Sequence, residues 1–74
     1  MTIEQIEGIV KEAYSNNTTV RVICVDDDAY EGRIILFTES WNEDNGFASF
    51  IIKGAHGMLG IFTNEVKEVK EIKE

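Results

Sequence analysis

Tyr30 to Asn42, YEGRIILFTESWN, holds the densest apolar run of the chain and its one tryptophan. Its middle, Ile34-Ile35-Leu36-Phe37, is apolar at consecutive positions, so it does not read as a half-solvated strand with one wet face. A long, bent central strand over Tyr30 to Thr38, shared by both walls of a small barrel, accounts for the pattern.

Working outward, the vocabulary from Thr19 onward is β-branched and aromatic with turn signals at short intervals, which predicts a series of short strands. Thr19 to Val25 precedes the central strand and ends in the acidic turn Asp26-Asp27-Asp28. After it, a polar connection from Glu39 reaches Asn45-Gly46, a hairpin signal. Phe47 to Lys53 reads as the third strand. The turn Gly54-Ala55-His56-Gly57 then leads into a fourth, Met58 to Phe62.

The tail from Glu65 repeats its apolar residues every three positions, matching neither strand alternation nor a full helical stripe. Lys and Glu favour a helix there, whereas a strand over Val66 to Ile72 supplies pairing that a barrel needs. A strand is therefore expected there.

Residues 2 to 14 read as a helix. Thr2 and Gln5 have capping-box spacing, and Ile3, Ile6, Ile9, Val10 and Ala13 recur on one face. Glu7 and Lys11 form an i,i+4 pair in the favourable order. The Ser15 to Thr18 cluster ends the helix. The expectation is a mainly β chain, one domain across residues 1 to 74, with an N-terminal α-helix followed by a five-stranded, bent antiparallel SH3-like barrel.

A domain of 74 residues buries only about 60 to 65% of its unfolded surface, so its core is marginal. The single Cys24 excludes an internal disulfide, and no Cys/His cluster offers a metal site. Self-association is the remaining source of stability. The N-terminus carries glutamates where a signal peptide has lysines, and no run is apolar enough to span a bilayer. The expected location is cytoplasmic, with no membrane partner.

Fourteen acidic against seven basic residues give a net charge of −7. Seven Lys/Arg scattered along the sequence do not easily build a basic face, so phosphate neutralisation is disfavoured and a basic protein partner fits better. The plain alternative is that the acidity maintains solubility.

Helix, five strands and a bent second strand resemble the Sm/LSm family, small SH3-like barrels that commonly assemble into rings. Gly32, Ile34, Phe37, Thr38, Trp41 and Asn42 stand where that family carries a glycine, an apolar residue, an aromatic, an aspartate, an apolar or aromatic residue and an asparagine. Thr38 replaces the aspartate that helps to fix the nucleotide-binding loop, and Glu43 to Gly46 look inserted. Ile52-Lys53-Gly54 imitates the second family motif one strand early. Thr63-Asn64 occupies the place of its Arg-Gly, and Val66 and Val69 keep its spacing. With Asp44 to Ser49, the whole is similar to small LSm-like proteins of Gram-positive bacteria and their phages.

The resemblance implies a candidate nucleotide-binding set of Thr38, Trp41, Asn42 and Asn64. It also implies weak single-stranded RNA binding or, given the charge, an acidic mimic that blocks a nucleic-acid-binding protein. Trp41 and Asn42 together form a stacking and hydrogen-bonding pair for a base. The simpler reading has Trp41 capping the open end of the barrel on Phe47 or Tyr30. Met58, Leu59, Ile61, Phe62, Val66 and Val69 mark edge strands through which copies pair, since Met58 to Phe62 carries no lysine to discourage it. Asp26, Asp27, Asp28 and Glu31 lack calcium-loop spacing, His56 reads as a turn residue, and Cys24 as a small buried hydrophobe. No catalytic grouping, metal or cofactor motif is present, so a non-enzymatic interaction module is expected.

Overall fold

The computed structural model describes residues 1–72. Helix α1 spans Ile3–Asn16 and is closed at its start by a reciprocal cap. The Thr2 hydroxyl accepts from the Gln5 amide at 3.1 Å, and the Gln5 side chain accepts from the Thr2 amide at 2.9 Å. The helix runs to Asn16, two residues past the expected Tyr14, and Asn17, left-handed at φ 56°, caps it. The buried stripe is narrower than the apolar one: Ile6, Val10 and Ala13 are buried, Ile9 is half-buried, and Ile3 in the first turn is exposed.

Strands β1 (Thr19–Cys24), β2 (Ala29–Thr38), β3 (Ser49–Gly54), β4 (Gly57–Phe62) and β5 (Val66–Ile72) form one antiparallel sheet in the order β4-β3-β2-β1-β5. The first four make a meander. The fifth crosses back to pair with β1, leaving β4 and β5 as the outermost strands.

Strand β2 bends as expected, but it is not buried on both faces. Ile34 pairs with Ile52 and Leu36 with Ile51, so Ile35 is the extra residue of a β-bulge. The bulge resets the alternation. Ile34 stays buried, Phe37 is half-buried against the core, and Ile35 and Leu36 are 41% and 47% exposed. Two backbone glycines let β2 and β3 approach at the far side of this bend. A Cβ on Gly32 would run into the Lys53 carbonyl oxygen, and one on Gly54 into that of Glu31.

The third strand begins at Ser49 rather than Phe47. Asn45-Gly46 is not a two-residue hairpin but a turn inside a longer connection, residues 39 to 48, which opens with a 3-10 turn over Ser40–Asn42. Asn45 accepts from the Phe47 amide at 3.0 Å, and Gly46 sits at φ 77°. The core runs between the concave face of the sheet and α1: Phe50, Ile52, Val20, Val22, Ile34 and Val69 from the strands meet Ile6 and Val10. No helix among the described residues is long and apolar enough to cross a membrane.

Candidate functional site

Thr38, Ser49 and Phe62 lie directly opposite one another across β2, β3 and β4, and the Thr63 amide donates to Ala48 O at 2.8 Å. The two short turns that follow β2 and β4 therefore leave from the same end of the sheet. They carry Trp41 and Asn42 on one side and Asn64 on the other. Thr38 is half-buried, and Asn42 and Asn64 are exposed.

Trp41 does not cap the barrel: it is 75% exposed. The helix already occupies that role. Lys11 on α1 binds Glu39 at 2.6 Å and lies 6.0 Å from the centre of the Phe37 ring, so the first residue of the connection is pinned to the helix. Phe37 takes the inward position and the 3-10 turn presents Trp41 to solvent. Glu43, two residues on, accepts from the Ser49 hydroxyl, whereas Glu65 accepts from the Phe62 amide at 3.1 Å and lies beside β1, its carbonyl taking the Val25 amide at 2.9 Å. Thr63, in the place of the family's arginine, is fully buried with an unpartnered hydroxyl. That position faces the core rather than a ligand.

On the outermost strands Met58 is 67% exposed, Leu59 and Phe62 are half-buried, and Ile61, Val66 and Val69 belong to the core. What the edges offer is mostly backbone. Among the described residues the β5 edge meets the Met1 thioether, which takes the Val69 amide at 3.5 Å.

The remaining candidates are locally satisfied. Asp26 accepts from the Asp28 amide at 3.0 Å, and Asp27, at φ 71°, pairs with Lys67 at 3.2 Å. His56 packs edge-on to Tyr30 at 5.2 Å. Burial pushes the Cys24 thiol up, and Asp26, Glu65 and Asp28 push it further, so it stays protonated and is a poor nucleophile. Burial raises Tyr30 as well, with Asp28, Cys24 and Asp26 adding to it. No group of three or more metal-ligating side chains occurs among the described residues.

The scattered cations are not scattered in space. Arg21, Arg33, Lys53 and Lys70 share the outer face of the sheet, because each follows a buried residue along its strand. The signal was present in the alternation of Val-Arg-Val and Gly-Arg-Ile, but it needed the strand order to be read.

One helix followed by five strands in this order, with a bulged and bent β2, is the Sm-like fold. Among solved structures the chain is similar to an Hfq protein from Anabaena sp., with a TM-score of 0.53 over 95% of this chain and 93% of that one at 18% identity. No family model and no curated protein matches the chain. At that identity the likeness is one of fold, and function has to be argued from the residues.

Proposed function

We propose that this chain is a non-enzymatic LSm-like interaction module that self-associates through its edge strands and presents an acidic surface to a basic protein partner. The observation that carries the reading is the sheet order. Strands β4 and β5 are at opposite ends of one antiparallel sheet, and each leaves a row of backbone groups without a strand partner. Pairing β4 of one copy with β5 of the next is a heterologous contact, which closes into a ring when the rotation allows. Strand β4 has no lysine and exposes Met58, so it lacks the usual guard against such pairing. On β5 the pairing exchanges the weak Met1 contact at Val69 for a backbone hydrogen bond.

The acidic surface is supplied by exposed Glu4 and Glu12 on α1, by Asp26 to Asp28 with Glu65 beside them, and by Asp44 on the connection that carries the exposed tryptophan. Light scattering at about ten to fifty micromolar, a range in which contacts of micromolar affinity are populated, gives a mass above the monomer. Met58→Lys with Gly60→Lys lowers it, since both positions have room for the new side chain. A monomer in the unmodified protein rejects self-association.

The exposure of Trp41 favours a second reading, single-stranded RNA held weakly at Trp41, Asn42, Thr38 and Asn64. An exposed aromatic plane contributes about 1 to 3 kcal/mol per stacked base. Titration with oligo-uridine at low salt decides it: binding that disappears in Trp41→Ala supports the reading, and no binding ends it. An acidic mimic of nucleic acid is the version of the first reading in which the basic partner is itself a nucleic-acid-binding protein.

A further inference from the structure

Arg21 lies between buried Val20 and Val22, Arg33 between buried Gly32 and Ile34, Lys53 after buried Ile52, and Lys70 after buried Val69. Alternation puts all four on the face of the sheet opposite to α1. The ladder then sets them side by side. Arg33 stands directly opposite Lys53, and Arg21 directly opposite Lys70, while Arg21 and Arg33 are diagonal neighbours across β1 and β2. The result is a track of positive charge across four strands.

Like charges directly opposite one another destabilise a sheet. This chain has fourteen acidic residues available and still places four of its seven cations in that arrangement. Two acids share the face: Glu31 stands directly opposite Arg21 on β2, and Glu68 lies two residues before Lys70 on β5, and neither closes an ion pair. Among the described residues the salt bridges are Lys11 with Glu39 and Lys67 with Asp27. A shallow cleft of about 140 Å³ opens between Arg21, Ile23, Glu68 and Lys70.

A second feature lies beside the track. Leu36, Ile51 and Gly60 are directly opposite one another across β2, β3 and β4 on the same outer face. Met58, beside Lys53, and Phe62 flank Gly60 along β4. Gly60 has open space where a side chain would be, so an apolar trough runs over Ile51 between Met58 and Phe62.

The two features together define the occupant. A nucleic-acid strand would use the track, but the apolar row beside it is mostly aliphatic, and its one aromatic, Phe62, is half-buried and offers little plane for stacking a base. A polypeptide with a run of carboxylates followed by a run of apolar side chains uses both, because the two patches lie side by side on one face. We propose that the outer face of the sheet binds an acidic, amphipathic polypeptide segment, its carboxylates on Arg21, Arg33, Lys53 and Lys70 and its apolar side chains over Leu36, Ile51 and the Gly60 trough. This surface has the opposite sign to the acidic one; it shares Met58, Gly60 and Lys70 with the edge strands but leaves their outward backbone groups free. Each exposed ion pair contributes little alone, so binding depends on several together and weakens with salt.

The test is an amide-resolved NMR titration of the full chain at low salt with a synthetic decapeptide of five Glu followed by five Leu. Deca-glutamate and decauridine serve as comparators. The expected result is chemical-shift change confined to β1, β2, β3, β4 and β5 positions of the outer face. Affinity by fluorescence anisotropy falls about tenfold or more in Arg33→Glu with Lys53→Glu. It falls several-fold in Gly60→Leu, which fills the trough, and is unchanged in Trp41→Ala. All these positions are exposed, and the map on the unmodified protein needs no variant. Absence of peptide binding overturns the proposal, as do shifts centred on α1 or the Asp26 to Asp28 turn. Equal binding of deca-glutamate with no effect of Gly60→Leu shows a charge-only surface and overturns it too. Tighter binding of decauridine than of the peptide reassigns the face to nucleic acid.

Discussion

Gly32 and Gly60 lie in the same sheet, and their surroundings are opposite. Gly32 faces the Lys53 carbonyl where β2 and β3 converge, and an added methyl group has nowhere to go without moving backbone. Gly60 on β4 has nothing within 4 Å. Gly32→Ala is therefore expected to destabilise by about 3 kcal/mol or more, in the upper range of overpacking. Gly60→Ala should be neutral or stabilise by up to about 1 kcal/mol, because glycine weakens a strand through backbone entropy. In a domain this small 1 kcal/mol moves the midpoint by roughly 4 to 8 °C, so thermal melts separate the two variants clearly. Equal midpoints would mean that the β2–β3 approach is not as close as described. The glycine itself was legible from the resemblance to the Sm/LSm pattern, but its reason was not, because it depends on a carbonyl from another strand. The same limit applies at the candidate site. Trp41 and Asn42 could be picked out by residue type, whereas the exposure of Trp41 depends on Lys11 and Glu39 having closed that end already. Likewise, nothing in Thr63-Asn64 shows that Thr63 turns inward while Asn64 faces solvent.

Helix α1 has a good cap and a narrow apolar stripe, so its two sources of stability can be weighed. Thr2→Ala removes the hydroxyl that accepts from Gln5, a loss of about 1 kcal/mol. Ile6→Ala removes a side chain that is 1% exposed and should lose about 2 to 5 kcal/mol. Urea denaturation is expected to rank Ile6→Ala well below Thr2→Ala. The reverse order would mean that the helix is held by its own ends rather than by the sheet beneath it. The order of elements, helix and then five strands, was readable from apolar spacing and turn residues. Two local patterns were not, and both are bulges. Ile34 to Phe37 looked buried on both sides because a bulge at Ile35 breaks the alternation. Val66 and Val69, three apart, would face opposite ways in a regular strand. Both are buried because the register shift opposite Ile23 and Cys24 makes Lys67 an extra residue. A bulge is a mismatch between two strands, and one strand read alone does not contain it.

At the scale of the whole molecule the charge is divided, not merely negative. Most exposed acids lie on α1, the Asp26 to Asp28 turn and the connection that carries Trp41, while the outer face of the sheet holds the basic track with Glu31 and Glu68 beside it. The two free edges lie between these surfaces and are nearly uncharged on β4. Salt should then act with opposite signs on the processes proposed. Edge pairing brings together copies that each carry −7, and their repulsion extends over roughly 20 Å at 20 mM salt but only about 4 Å at 500 mM. The backbone hydrogen bonds that hold an edge pair are short-ranged and little affected by screening. The light-scattering mass at fixed protein concentration is therefore expected to rise between those two salt concentrations. Docking of a basic partner on the acidic surface, and of an acidic peptide on the outer face, should weaken over the same interval. A mass that falls with salt would show that copies associate through their oppositely charged faces, and the edge-strand model of assembly would have to be given up.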